Sequence, residues 1–332
     1  MMPQCHRRPE RFSMLRDLPV PFARIDNTFD DVDAMAASPI AWNQHYEQIG
    51  RGRFQGRLTQ FVFDQFQFAR VSYSLGVLQR GCAPDDAWAF GLPLSAQGSL
   101  HVRRRPVAQG ELIAATSQDD VGFATTGSAD IIVAVLPAQA IEHWMHVRRG
   151  ADDFNVHLPS PRWHVPTEEL SRRTHALSAL LEELATHAEM ELRGAAPQLQ
   201  ERIFQIILGM IPSAEIIEPL HNRARIARQL LAILNERLDD PPTITDLCVA
   251  VSAKERTLHL SCMEAFGWSP MALMTDLRLN ATRRALLRPD GATSVTSVAE
   301  RYSFTHLGRF SNIYRRKFGE LPSVTLLRAR AC

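Results

Sequence analysis

The stretch Val295–Ser323, VTSVAERYSFTHLGRFSNIYRRKFGELPS, constrains this chain more than any other. Val295, Val298, Ala299 and Tyr302 recur at helical spacing and form one apolar stripe. Ser303 breaks the pattern, Phe304 plugs the turn, and Thr305 is a candidate N-cap. In the helix that follows, Leu307, Phe310, Ile313 or Tyr314, and Phe318 supply a buried side. His306, Gly308, Ser311, Asn312 and Arg315 are left on or near the open side. Arg315–Arg316–Lys317 close the helix with positive charge. A helix built this way suits a DNA major groove, where polar groups meet base edges and cations meet phosphates.

At these residues a family likeness appears. AERYSFTHLGRFSNIYRRKFGELPS resembles the second helix-turn-helix of AraC/XylS-type transcription regulators, in which a Y-G-F turn precedes a recognition helix of the form G-R-F-S-x-x-Y-R. Upstream, TITDLCVAVSAKERTLHLSCMEAFGWSP resembles the first helix-turn-helix of that family. Its marks are Leu247–Cys248, Arg256-Thr257-Leu258 and Phe266-Gly267-x-Ser269-Pro270. Thr243-x-x-Asp246 opens the unit in the manner of a capping box, with Asp in place of Glu. Gly267 suits a helix C′ position, and Ser269-Pro270 is a cap followed by a pre-set first turn. Met271–Arg288 then reads as one helix of 18 residues, roughly 27 Å long at 1.5 Å per residue. A rod of that length can hold two recognition helices about one DNA turn (~34 Å) apart.

The chain departs from the family pattern in two respects. Ser252 and Ser303 occupy the turn positions where relatives carry Gly; a non-Gly residue at positive φ costs on the order of 1 kcal/mol. The first recognition helix is also less polar than expected, with Arg256, His259, Leu260 and Met263 on its open face. Leu260 stands where relatives often carry a basic residue, and Cys262 where an aromatic core residue is usual, so Cys262 is read as packing. The second helix is therefore the better equipped for direct readout. Candidates for base edges are His306, Leu307, Ser311 and Asn312, with Arg256 and His259 on the first helix. Candidates for phosphates are Arg309, Arg315 and Arg316. Arg283 and Arg284 on the connecting rod are read as ion-pair or phosphate residues.

Charge divides the chain. Residues 223–332 hold 17 Lys and Arg against 10 Asp and Glu, whereas the remainder holds 20 against 26. A basic end for nucleic acid joined to an acidic end with another task fits that split. Residues 1–28 show no periodic pattern and read as partly irregular; Asp30–Ala37 suggests a short helix. From Arg57 to Pro137 the texture is of short strands rich in Val, Ile and Phe: 58–64, 65–74, 87–94, 100–103, 112–116, 121–125 and 130–136. Seven such segments point to a β-sandwich or a cupin-like jelly roll. Residues 167–217 turn helical, with Leu170, Leu177, Leu180, Leu181 and Leu184 on one stripe and Leu199, Ile203, Ile206, Ile207 and Met210 on another. The fold class is thus α+β. A β-rich sensor domain (1–165), a helical linker (166–222) and an all-α domain with two helix-turn-helix motifs (223–330) follow one another. The resemblance implies dimerisation through the linker; packing of both stripes back onto the barrel is the alternative.

The cysteines Cys5, Cys82, Cys248, Cys262 and Cys332 are odd in number and far apart, with no zinc spacing. His101-Val102-Arg103-Arg104-Arg105 lacks the H-x-H pair of a metal-binding cupin, so no metal and no cofactor is expected. Gly50-x-Gly52-x-x-x-Gly56 precedes a strand and is no dinucleotide loop. No apolar run spans a bilayer, the longest being 131–137, and a cytoplasmic location is expected. The resemblance implies a non-enzymatic, sequence-specific regulator of transcription, loosely similar to ethanolamine-utilisation regulators. Its partners would be double-stranded DNA, RNA polymerase, a small-molecule effector and a second copy of the chain. Phe61, Phe63, Phe66, Phe68, Trp88 and Phe90 are candidates to line an effector site inside the barrel. The competing readings are a constitutive DNA-binding regulator with a purely structural barrel, and a cupin-like enzyme with a DNA-binding tail.

Overall fold

The computed structural model describes residues 22–39, 42–63, 66–102, 105–108, 110–117, 122–149, 162–211, 215–216 and 221–331. The chain opens with β1 (Phe22–Phe29), α1 (Val32–Ala36), β2 (Asn43–Gln48), β3 (Gly56–Phe63), β4 (Gln67–Tyr73), β5 (Val77–Cys82) and β6 (Ala87–Ala96). There follow β7 (Leu100–Val102), β8 (Arg105–Pro106), β9 (Glu111–Thr116), β10 (Phe123–Thr125), β11 (Ala129–Pro137), α2 (Ala138–Arg149) and β12 (Arg162–His164). An antiparallel sheet of eight strands, in order β1-β3-β4-β11-β6-β9-β12 and then β13 (Glu215–Ile216), faces one of five, in order β2-β5-β10-β7-β8. All seven strand segments expected from the sequence are present within a few residues. Two expectations need correcting. Residues 22–28, the end of a stretch read as without periodic pattern and partly irregular, form β1 in register with β3 from Phe22↔Phe63 to Phe29↔Gly56. β2 and β5, which the pattern did not single out, carry the edge and second strand of the small sheet. Both are rich in polar residues, NQHYEQ and VLQRGC, and a half-polar strand has no apolar alternation to betray it.

Successive residues along a strand point to opposite faces, so each sheet divides its side chains between two layers. Between the sheets lie Leu58, Tyr73 and Ile131 from the large sheet with Tyr46, Val77, Val102 and Phe123 from the small one. On the far side of the large sheet, Phe61, Phe68, Phe90, Leu112, Ile132, Ala134 and Leu136 form a second layer under helices. Those helices are α3 (Thr167–Thr186), α4 (Glu189–Gly194) and α5 (Ala196–Met210). Both faces of the large sheet being covered, its strands read as unbroken apolar runs such as ELIAAT and IIVAVL. The apolar stripes of α3 and α5 are spent in this layer: Leu177, Leu180, Leu181, Leu184, Leu199, Ile203 and Ile207 are buried against the sheet within one chain. The pairing of β13 with β12 returns the chain to the sheet edge after α5.

The rest is helical: α6 (His221–Glu236), α7 (Ile244–Ala250), α8 (Glu255–Phe266), α9 (Pro270–Leu287), α10 (Val295–Arg301), α11 (Leu307–Phe318) and α12 (Pro322–Ala331). The caps expected for α7 and α9 are in place. Thr243 and Asp246 bond reciprocally at the start of α7, and the Ser269 hydroxyl accepts from Ala272 N–H in front of Pro270. Ser294 with Ser297 makes a second box before α10. Ser252 and Ser303 have φ of 52° and 59°, the strained conformation expected of serines at glycine positions. Among the described residues no helix is long and apolar enough to cross a membrane.

Leu180, only 1% exposed, tests where the linker stripe is satisfied. Leu180→Ala is expected to cost about 2–5 kcal/mol in urea unfolding of the full chain, with a midpoint independent of protein concentration. A midpoint that falls on dilution would place the stripe in a subunit interface instead.

Candidate nucleic-acid interface

Each helix-turn-helix has its own core, and the rod α9 feeds both. Leu273, Met274 and Leu277 join α6, α7 and α8, while Leu279 and Leu286 join α10, α11 and α12. Arg278, also on α9, donates to the Tyr302 carbonyl at the second turn through Nε at 2.8 Å and lies 4.3 Å over the Phe304 ring. The two recognition helices are copies in form. A shift of 52 carries Glu255–Phe266 onto Leu307–Phe318, and each helix ends on a left-handed glycine, Gly267 and Gly319, both at φ 75°. The buried positions correspond: Leu258 with Phe310, Cys262 with Tyr314, Ala265 with Lys317, Phe266 with Phe318. Cys262 thus stands where the second unit has its aromatic core residue, fully buried, with burial pushing its thiol pKa up.

The open faces also correspond. On α11 they show His306, Leu307, Gly308, Arg309, Asn312, Arg315 and Arg316 exposed and Ser311 half-buried. Every residue expected to meet DNA on this helix is therefore accessible on the side away from its core. On α8 Arg256, His259, Leu260 and Met263 are exposed. Three details differ from the sequence reading. Leu307, assigned there to the buried side as well as to base edges, is 39% exposed. Lys317, counted in the basic cluster, is 2% exposed and turned inward. His306, rather than Thr305, is the N-cap residue, and its side chain makes no cap bond.

Lys317 leads to a feature that the motifs did not reveal: the β-rich domain grips the helical one. Lys317 Nζ donates to the Ile49 carbonyl at 2.6 Å and pairs with Asp276 of α9 at 2.8 Å. The Lys317 carbonyl in turn accepts from Gln48 Nε2 at 2.8 Å and from Gly52 N–H at 2.9 Å. Asn280 of α9 brackets the Gln48 peptide, donating from Nδ2 to its carbonyl at 2.9 Å and accepting its N–H at 3.2 Å. One helical turn on, Arg284 forms a fork with Glu47, both bonds 3.0 Å. Arg283 bonds Glu320 at 2.8 Å and Asp31 at 3.4 Å. Both arginines thus take the ion-pair role of the two left open. A cleft of about 130 Å³ opens along this seam, lined by Asp31, Gln48 and Arg53 on one side and Arg283, Phe318 and Glu320 on the other.

Electrostatics in the seam follows from burial. Burial lowers the Lys317 pKa against the opposing pull of Asp276, and burial raises the Asp276 pKa against the pull of Lys317. For both partners desolvation is the larger influence and pairing the smaller. Glu47 differs. Burial pushes its carboxyl up, but the bonds and charges of His45 and Arg284 more than offset this and hold it below its ordinary value.

The first helix-turn-helix is held as well. Leu78 and Ala124 on the outer face of the small sheet, with Ile49 just after β2, belong to the same apolar cluster as Leu230, Leu258 and Phe266. A Cβ on Gly267 would collide with Thr126 and crowd Ser99 and His101; one on Gly319 would fall 2.7 Å from Arg53 Cγ. The C-terminal ends of both recognition helices therefore rest on the β-rich domain, leaving their N-terminal halves free. The neutral His101 ring is buried there with Nδ1 unpartnered; burial, opposed by Glu264, pulls its pKa from 6.5 to about 4.

The six aromatic residues expected inside the barrel lie elsewhere. Phe61, Phe63, Phe66, Phe68, Trp88 and Phe90 occupy the layer beneath α3–α5, not the space between the sheets. Phe63 stacks on Phe66 at 4.3 Å and Trp88 on Phe90 at 6.2 Å. Among the described residues no cluster of His, Cys, Asp and Glu could hold a metal ion. The interdomain residues carried one legible signal: Asp276, Asn280 and Arg284 recur every four positions along the rod, on one face.

The chain is similar to known proteins along most of its length. A helix-turn-helix domain family matches residues 247–328. The "Probable thc operon regulatory protein" of Rhodococcus erythropolis is 32% identical over 323 residues, covering 90% of this chain and 93% of that protein. The "XylDLEGF operon transcriptional activator" of Pseudomonas putida is 25% identical over 284 residues, covering 83% of this chain and 85% of that one. A crystal structure of a probable AraC family transcriptional regulator from Rhodopseudomonas palustris CGA009 is 33% identical over 31% of this chain and 96% of that chain, with a TM-score of 0.30.

Two outcomes are expected at the seam. Lys317→Met strands Asp276 in a buried site and should lower stability by about 3–5 kcal/mol in urea unfolding; adding Asp276→Leu should restore most of it. His101, depressed in the folded chain, contributes stability that is full above pH 6.5 and lost as pH falls towards 4. His101→Gln should flatten that part of the stability–pH curve, read by thermal melts from pH 7 downward.

Proposed function

We propose, for a chain that belongs to the AraC/XylS family of transcription regulators, a division of labour between its two recognition helices. The chain is a DNA-binding transcription regulator. In this reading α11 carries most of the readout, with His306, Leu307, Ser311 and Asn312 at base edges and Arg309, Arg315 and Arg316 on phosphates. On α8, Arg256 and His259 make the corresponding contacts. The observation that carries the assignment is the shared exposure of the two helices under a shift of 52 residues, at Glu255 and Leu307, Arg256 and Gly308, Leu260 and Asn312, and Met263 and Arg315. The working division remains a sensor domain to 165, a linker to 222 and the DNA-binding domain beyond.

Responsiveness to a small effector is the finer part of the proposal. It is supported by the seam, since a ligand that moves β2 or enters the cleft beside Arg283 and Gln48 touches both domains at once. A coupling of about 1–3 kcal/mol between such a site and DNA changes affinity roughly 5–150-fold. Contact with RNA polymerase belongs to the same reading, as one relative is described as an operon transcriptional activator. Dimerisation would have to use surface other than the buried stripes of α3 and α5. A constitutive regulator with a structural β domain is the second reading. It is favoured by the filled space between the sheets, where Tyr46 and Tyr73 meet edge to face at 5.8 Å.

The test is binding of the full chain to duplex DNA across a salt series, using random DNA and the gene's own upstream region. The full chain is needed because part of the first helix-turn-helix core comes from the small sheet. Asn312→Ala is expected to cost about 1–3 kcal/mol on the upstream region alone. Arg315→Ala should weaken binding to both DNAs and reduce the salt slope by about 0.9. Equal losses on both DNAs for Asn312→Ala would remove it from the readers.

A further inference from the structure

The correspondence between the recognition helices also exposes a difference. Arg256, His259, Leu260 and Met263 lie three, four and seven positions apart on one face of α8; the shift of 52 places them on Gly308, Ser311, Asn312 and Arg315 of α11. Where α11 offers an amide and a guanidinium, α8 offers two aliphatic side chains. Leu260 is 38% exposed and Met263 39%, and neither is needed by the core, which Leu258, Cys262, Ala265 and Phe266 fill. Large apolar side chains left open beside Arg256 and His259, with Leu260 at the position of the base-reading Asn312, need a partner that is apolar and lies among polar groups. In a major groove one base supplies that: the 5-methyl group of thymine.

We propose that Leu260, with Met263 packed beside it one turn on, reads a thymine methyl group, so that the half-site under α8 is selected by hydrophobic contact and the half-site under α11 by hydrogen bonds. The inference rests on the DNA-reading role given above to the open face of α8. It explains why the first helix can specify sequence with few polar groups. Arg256 and His259 at the edges of the patch hold the helix in register while the apolar pair discriminates. Docking of the C-terminal Gly267 against the small sheet fixes how deep that pair can sit, because the helix cannot tilt without moving the sheet contact at Thr126.

Uracil tests this, since it pairs as thymine does and lacks only the methyl. A duplex selected from random DNA by the full chain is remade with deoxyuridine replacing each thymidine in turn. The expected result is a sensitive position in one half-site, losing about fourfold in affinity, the fold-change that about 0.8 kcal/mol per buried methyl-sized group implies. That sensitivity should vanish in Leu260→Ala with Met263→Ala and persist in Asn312→Ala. Both apolar residues are exposed, so the variant should melt as the wild type does. Sequence-selective binding with no uracil-sensitive position overturns the inference and leaves the DNA reading intact; the apolar pair would then be a surface for another protein. Sensitivity undiminished in the double variant also overturns it, assigning the methyl contact to another side chain such as Leu307. Failure to select any sequence overturns the DNA reading, and this inference with it.

Discussion

The arrangement depends on the grip of one short strand and the loop after it. Glu47, Gln48, Ile49 and Gly52 offer a carboxylate, a side-chain amide, a backbone carbonyl and a backbone N–H to the Arg284 guanidinium on α9 and to the ammonium and carbonyl of Lys317 on α11. Most of these bonds involve main-chain atoms, which cannot change rotamer to find other partners. A buried backbone group left unpaired is costly, so the contact is either made whole or given up.

The same seam explains features of the recognition helices that a DNA contact alone would not. Lys317 is basic and sits in the last turn of α11, yet it faces away from any groove, because its ammonium is held by Asp276 and Ile49. Gly267 and Gly319 are glycines twice over. Each takes a left-handed conformation that L side chains rarely adopt, and each lies where the β-rich domain leaves no room for a Cβ. Support at the C-terminal ends frees the N-terminal halves, which are the parts that enter a groove in helix-turn-helix docking.

Legibility differed between the domains for a physical reason. The helical end was readable because its structure is local: caps, the stripe of α10 and the glycine stops each span a few residues. The β-rich end was half-readable. β9 and β11 announced themselves as apolar runs because both faces of the large sheet are buried. β2 and β5 did not, since polar groups such as Glu47 and Gln48 on β2 are buried by partners that lie more than 200 residues away. Composition also could not say which layer an aromatic enters. Phe61 and Tyr73 lie on adjacent strands of one sheet and face opposite ways.

Sequence by itself determined that the chain ends in two helix-turn-helix units on a common rod, and which faces of the recognition helices are polar, basic or apolar. Those properties follow from periodicity within single helices. Only the tertiary structure decided that Lys317 is structural, that Arg283 and Arg284 pair with acidic groups rather than phosphates, and that the linker stripes are consumed by the large sheet. Each of those outcomes turns on a partner far along the chain. A side chain's charge and polarity are written in its own residue, whereas its burial and its partner are properties of the whole packing.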